Sequence, residues 1–438
     1  MDIKFLAEQI FKTAVESVLP EKMIHRHVAL KNSILCISGM PIPLDNINHI
    51  YLIGAGKASA AMAKEFENIL GKKISGGHVV VKYGHACKLQ YVDLSEAGHP
   101  IPDINGQRAT KKILDIAKHA SENDLVICLI SGGGSALLTD IPDQSKIEDI
   151  INLNDLLLKS SADIKEINTV RKHLSKIKGG QLATAAYPAR LICLILSDVV
   201  GDLLEVIASG PTVPDTTTYE DALKVLEKYN LLSWVPNSLI NYLEKGKEGI
   251  YPETPNKGNP LFNRTQNVVI GSNKIALDAA NQKATSLGLN SFVSTSELAG
   301  NVIETAHALI KTAITAQNDK SIKKPYCLLF GGETTIKING TGTGGRNQHL
   351  ALYASLLLKD KNGITFLAAG TDGTDGPTVA AGAIVNTKTF EHALSIGLNI
   401  NQYLENFDSF HFFEKVGGHI ITGPTMTNVM DIIIIIIE

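Results

Sequence analysis

Cysteine, aromatic residues and net charge are all scarce in this chain of 438 residues. Its five cysteines (36, 87, 128, 193 and 327) are widely spaced and include no C-x-x-C pair, so zinc-ribbon and dithiol chemistry have no support. Three of them fall in apolar runs and read as small buried hydrophobes in a reducing compartment. A formal charge of -3 provides no electrostatic footprint for nucleic acid. No apolar run approaches the roughly 20 residues of a membrane span. The N-terminus carries Asp2 and Glu8 among helically spaced apolar residues, unlike a basic-then-apolar leader. Walker, H-E-x-x-H and G-x-S-x-G patterns are also missing. The expectation is a cytoplasmic protein of ordinary globular composition, with no nucleic-acid or membrane partner.

What is present is a repeated alternation. Short apolar runs (50-IYLIG-54, 78-HVVVKY-83, 125-LVICLI-130, 190-RLICLILSD-198) are separated by stretches of helical period at 58–70, 105–119 and 165–187. Continuous apolar strands between helices predict a parallel sheet covered on both faces, hence an α/β fold. The length predicts two domains. Residues 246–267 are rich in proline, glycine and asparagine, which places a linker at 251–267 between an N-terminal α/β domain, 1–250, and a second, 268–438. The second half begins with a strand at 268–271. It is read as α/β too, with a mixed sheet because Thr334 to Ile338 alternates polar and apolar residues. The tail 432-IIIIII-437 is expected to pair as a buried strand within the second domain or across a subunit interface.

Glycine turns follow these strands, where ligands of open parallel sheets bind. In 131-SGGGS-135, Gly132, Gly133 and Gly134 can turn backbone N–H groups inward while Ser131 and Ser135 add hydroxyls, which suits a phosphate or carboxylate. A tight turn that only permits close packing is the competing reading. In 54-GAGKAS-59, Gly54 and Gly56 lead into a helix whose first turn carries Lys57, against the helix dipole. Arg346 follows Gly344 and Gly345 at another helix start, beside Asn347. A cation at either place makes sense if an anion binds there, whereas a solvated surface side chain needs no ligand. Asp198, Glu333, Asp372 and Asp375 sit at strand ends and could serve Mg²⁺ on a nucleotide; for the two aspartates of "GTDGTDG" a turn-forming role is the alternative. Arg171 belongs to the basic stretch 168-NTVRKHLSKIKGGQLA-183, either a solvated face or a source of positive potential.

Taken together, "GAGKASAAMA", "EAGHPIPD", "LISGGGSALL", "NTVRKHLSKIKGGQLA", "LSDVVGD", "GGETTIKINGTGTGGRNQ" and "AAGTDGTDGPT" closely resemble the glycerate 2-kinase family with a C-terminal MOFRL domain, here at about 325–431. The resemblance implies ATP-dependent phosphorylation of D-glycerate to 2-phosphoglycerate with Mg²⁺. It also implies a Rossmann-like N-terminal domain and an active site in an interdomain cleft. Lys57 and Arg346 match the family's catalytic pair. On that basis Ser131 to Ser135, Gly344 and Gly345 are assigned to nucleotide phosphates. Gly54, Gly56, Arg171 and Asn347 are assigned to substrate, and Asp198, Glu333, Asp372 and Asp375 to metal. The chain departs from the family at Leu203, where a second acid is usual, and at Met426, usually glycine. Monomer and homodimer both stay open. The competing functions are an NAD(P)H-dependent hydroxypyruvate reductase and a non-catalytic sensor of sugar acids or nucleotides.

Overall fold

Six strands form one sheet from the first part of the chain: β1 (Ile50–Ala55), β2 (Gly76–Lys82), β3 (Asp93–Ala97), β4 (Leu125–Ile130), β5 (Arg190–Leu196) and β6 (Thr265–Gly271). They lie in the order β3-β2-β1-β4-β5-β6 in the computed structural model, which describes residues 2–438. The β1–β2, β1–β4, β2–β3 and β4–β5 pairings are parallel. This is the doubly wound order, with its reversal between β1 and β4 and a crevice beyond their carboxyl ends. Every residue of β4 is buried, as its unbroken apolar run requires of a strand covered on both faces. The same unit, 23–197 plus 202–270, includes an antiparallel meander over residues 28–43. Helices 147–159, 164–173, 219–228 and 237–247 share a separate apolar core around Leu157, Val170, Leu226 and Leu239.

Three sequence expectations change here. The helix expected over 165–187 breaks into Ile164–His173 and Gln181–Ala186. Gly179 and Gly180 between them take φ of 56° and 80°, and their N–H groups donate to the carbonyls of Ser209 and Gly210. The supposed linker is anchored in this unit: Thr254 is buried and donates to Asp215 (3.2 Å), and Leu261 is buried. The strand expected to open the second domain is β6 of the first sheet.

The second unit comprises 2–22, 198–201 and 271–438. Its sheet contains β7 (Asn290–Asn301), β8 (Tyr326–Thr335), β9 (Ile364–Gly370), β10 (Gly382–Asn386), β11 (His419–Ile420) and β12 (Asp431–Ile437), ordered β7-β8-β12-β9-β10-β11. The sheet is mixed, as expected, but because β12 runs antiparallel to both β8 and β9; β8 itself stops at Thr335. The six isoleucines of β12 therefore form a central strand, each at most 1% exposed. Ile433, Ile435 and Ile437 join the core beneath helices 302–318 and 346–357. Side-chain alternation sends Ile432, Ile434 and Ile436 to the opposite face, where helices 3–17 and 273–286 pack on the sheet. Helix 3–17 had been placed in the N-terminal domain. Its apolar stripe of Leu6, Ile10, Phe11 and Val15 instead lies against helix 273–286.

Candidate active site

The two glycine turns of the first unit meet at the point where strand order reverses. Lys57 N–H donates to the Gly132 carbonyl (2.9 Å) and Ser131 N–H to that of Ala55 (3.1 Å). A side chain at Gly56 would run into Ser131, and one at Gly54 into the Leu129 carbonyl. Those two glycines thus serve the approach of one loop to the other, which accounts for them without a ligand. Of the three consecutive glycines, only Gly133 is left-handed, with φ 84°. Gly134 opens the short helix Gly134–Leu137 and donates to the Ser131 carbonyl. The N–H groups of Gly132, Gly133 and Ser135 meet no protein acceptor among the described residues, the condition under which a backbone nest serves an anion.

Ser131 is not available to a ligand. Buried at 1% exposure, it caps the helix Ser59–Leu70 by accepting from Ala58 N–H (3.0 Å), and it contacts the Ser59 hydroxyl (3.3 Å). Lys57 stands at this helix start with His99 and His85 nearby. The His85 ring nitrogen Nδ1 lies 3.2 Å from the Lys57 carbonyl. A Cβ on Gly133 would come within 2.8 Å of the His99 ring, so the imidazole lies directly on the glycine loop. Burial lowers the His99 pKa to about 4, helped by the charges of Lys57, Lys82 and His85. The loop is thus edged by cations and by an imidazole that stays neutral at physiological pH.

Around the loop the basic stretch is largely internal. Lys172 is buried and paired with buried Asp215 (3.3 Å). Buried Lys178 donates to the Leu138 carbonyl just after the loop's helix; burial lowers its pKa to about 8, with Arg171 adding to the effect against Asp140. Arg171 donates through Nε to Asn154 (2.7 Å). A solvated basic face is therefore the wrong description of this segment.

In the second unit Arg346 begins helix Arg346–Leu357 and is held by two carboxylates. Asp431 takes Nε (2.6 Å) and Nη2 (2.9 Å) in a two-pronged pairing, and Glu333 takes Nη1 (2.6 Å). Burial works to lower the Arg346 pKa, but the Asp431 hydrogen bonds and both carboxylate charges outweigh it and raise the value. The helix start has its own anion as well. Buried Asp375 accepts from Asn347 N–H (3.1 Å) and Gln348 N–H (2.8 Å). Desolvation raises Asp375 to about 6 against these bonds. Asp375 thus caps the helix with both of its carboxylate oxygens. Gly345 and Gly344 are bare because Asp375 and Ser409 pack where their side chains would be. Asn347 is buried, with its amide near Asp375 (3.5 Å). These placements account for the two glycines and for Asn347 through packing and capping within the unit.

Asp198 and Asp372 remain at the cluster's edge. Burial raises the Glu333 pKa, and Asp431, Asp198 and Asp372 add to this, while Arg346 opposes it. Asp372 gives one oxygen to the N–H of Thr374 (3.1 Å). The sequence reading passed over Asp431, although an acid at the lip of a six-isoleucine strand was a visible signal. It also passed over Asn273, which donates to the carbonyls of Val429 (2.8 Å) and Asp431 (2.9 Å) and so fixes the approach to β12.

The family model described as a domain of unknown function, DUF4147, matches residues 6–244, and the MOFRL family model matches 326–431. The chain is 42% identical to D-glycerate 2-kinase of Thermotoga maritima, over 99% of this chain and 98% of that protein. It belongs to the glycerate 2-kinase family with a C-terminal MOFRL domain. The glycerate 2-kinase of Pyrococcus horikoshii is 40% identical over 100% of this chain and 98% of its own. A crystal structure of glycerate kinase from Thermotoga maritima superimposes with a TM-score of 0.89 at 40% identity, covering 100% and 99% of the two chains. In this glycerate 2-kinase family member the DUF4147 match holds the glycine loops and Lys57. The MOFRL match holds Glu333, Arg346, Asp372, Asp375 and Asp431.

Proposed function

We infer that the protein is a phosphotransferase that phosphorylates D-glycerate to 2-phospho-D-glycerate with ATP. Full-length similarity to D-glycerate 2-kinase carries this reading, and the unpaired N–H groups of the glycine loop beside Lys57 give it a chemical basis. Phosphoryl transfer asks an enzyme mainly to align donor and acceptor and to neutralise oxygens. The loop N–H groups suit phosphate oxygens, and Lys57 supplies the mobile positive charge next to them. Arg346, set rigidly by Asp431 and Glu333, presents a fixed guanidinium.

Mg²⁺ fits the acidic side of the second unit. Burial is the main cause of the raised pKa of Glu333, and the nearby charges of Asp431, Asp198 and Asp372 add to it against Arg346, so several carboxylates gather there. Among the described residues no three His, Cys, Asp or Glu side chains form a metal cage, and Mg²⁺ on a nucleotide needs only one or two carboxylates besides phosphate and water. One or two of Asp198, Asp372 and Glu333 would hold it, while Asp375 caps its helix. The ion, when bound, neutralises charge on phosphate oxygens.

A nicotinamide reductase is disfavoured by β2, which ends at Lys82 where ribose hydroxyls require an acid. The deciding assay supplies D-glycerate, MgCl₂ and ATP in one vessel and hydroxypyruvate with NADH in another. ADP and a phosphoglycerate whose phosphorus NMR places the phosphate on the 2-hydroxyl are the expected products. NADH oxidation without ADP formation refutes the kinase reading.

A further inference from the structure

The glycine loop carries two serines, and their hydrogen-bond partners differ. The Ser59 hydroxyl donates to the Leu129 carbonyl (3.0 Å), so the Ser59–Ser131 contact is donated by Ser131. With the Ala58 N–H already on its oxygen, Ser131 bonds inside the protein in both directions, and it is buried. Ser135 differs. Its Oγ lies 2.8 Å from that of Ser209, and Ser209 donates its single proton to Asn168 Oδ1 (3.0 Å). With the Asn168 amide oxygen turned to Ser209 and its buried Nδ2 without a partner among the described residues, the proton between the two serines comes from Ser135. Ser209 and Asn168 are both buried, whereas Ser135 is half-buried. What Ser135 offers outward is lone pairs and no proton.

The backbone fixes the position of Ser209. Ala208, Ser209 and Gly210 take φ of 51°, 61° and 64° in succession, a left-handed run that costs the two non-glycine residues free energy and marks a constrained site. Gly134 makes room for it: a Cβ there would lie 2.9 Å from that of Ala208. The hydrogen-bond chain ends on an amide oxygen, which takes no proton near neutral pH. Ser135 is thus no relay to a base.

We propose that Ser135 is a specificity-determining residue that accepts a hydrogen bond from the substrate hydroxyl that is not phosphorylated, with Ser209 and Asn168 setting its polarity. The loop N–H donors suit oxygens of the phosphoryl group being transferred, and one oxygen acceptor beside them suits the remaining hydroxyl of a small polyhydroxy acid. The inference rests on the glycerate kinase reading, in which the hydroxyl recognised is the one on carbon 3.

The test compares the KM for D-glycerate with the inhibition constant of D-lactate, which lacks that hydroxyl. In Ser135→Ala the KM rises about tenfold or more, the scale of a lost hydroxyl contact, while the D-lactate constant moves less than about twofold. Ser135→Cys keeps the volume but accepts poorly, and it repeats the loss. Asn168→Asp, which can only present oxygen to Ser209, preserves the gap between the two ligands, whereas Asn168→Leu narrows it. Equal weakening of both ligands in Ser135→Ala, or a gap in Asn168→Asp as narrow as in Asn168→Leu, overturns the inference and leaves the kinase reading standing. A wild-type protein that makes no phosphoglycerate overturns both.

Discussion

Two cations stand out at the scale of single residues, one in each unit, and they are held differently. Arg346 is locked by three short contacts to Asp431 and Glu333, while Lys57 stands at a helix start with its backbone tied to Gly132. Alanine at either position should lower kcat by at least about 100-fold, since each is read as stabilising charge that develops in transfer; turnover close to wild type in either folded variant removes it from the catalytic set. The neighbourhood of Lys57 has a second readout. His99 should titrate near 4, and Lys57→Met should raise that value because one of the charges opposing imidazolium has gone; an imidazole NMR titration that is identical in both proteins refutes the arrangement. Lys57 and Arg346 stood out in the sequence because a cation opposes the dipole at a helix start. For Arg346 the structure supplies a different answer from the ligand this suggested: the opposing charges are Asp375, Asp431 and Glu333, brought from far along the chain. Spacing in sequence carries no trace of such pairings.

At the scale of elements, strand-turn-helix units were easy to read and their mutual fit was not. The run 129-LISGGGSALL-138 predicts a buried strand and a glycine turn, and both are present, followed by the short helix Gly134–Leu137. That Gly54 and Gly56 exist to admit the neighbouring turn, and that Gly133 alone is left-handed, depend on contacts between loops some seventy residues apart. Gly133→Ala tests this directly. The new methyl meets the His99 ring at 2.8 Å and requires a residue with φ 84° to carry a side chain, so both the loop and the imidazole must shift. A fall in kcat/KM of about 100-fold is expected from misplaced groups, with the fold retained because the strain is confined to one turn. Kinetics within about twofold of wild type would show that neither His99 nor the loop geometry matters to turnover. The break at Gly179 and Gly180 makes the same point: their left-handed backbone is dictated by the carbonyls of Ser209 and Gly210, and the helical period running through 165–187 hides it.

At the scale of the whole molecule, periodicity told which faces are apolar but not which sheet each face covers. That is why helix 3–17 and strand 265–271 were assigned to the wrong units, and why the isoleucine tail could be read as buried without being seen as central. Its centrality has a stability consequence: Ile434→Ala leaves a cavity in a strand paired on both sides, at a cost of about 2 to 5 kcal/mol, and a thermal midpoint unchanged from wild type would contradict the β12 placement. The molecule also stores acid sensitivity in its histidines. Burial lowers His78 to about 4, as it does His99 and His349, so each enters the fold neutral while the unfolded chain binds a proton below about 6.5. Between those values the unfolded state holds more protons, and stability falls as pH drops, by up to about 1.4 kcal/mol per pH unit for each imidazole. Asp375, raised to about 6, works in the opposite sense from about 4 to 6, because there the folded state holds the extra proton. Three imidazoles against one such carboxyl leave a net loss on acidification from these four groups. His349 is buried, stacked on Phe407 with ring centroids 4.9 Å apart, and His349→Gln removes its titration while keeping a polar side chain of similar reach. Denaturant unfolding at stepped pH should then show a shallower dependence between pH 4.5 and 6, less by about one proton. A slope equal to wild type would mean that His349 is protonated as readily in the fold as out of it.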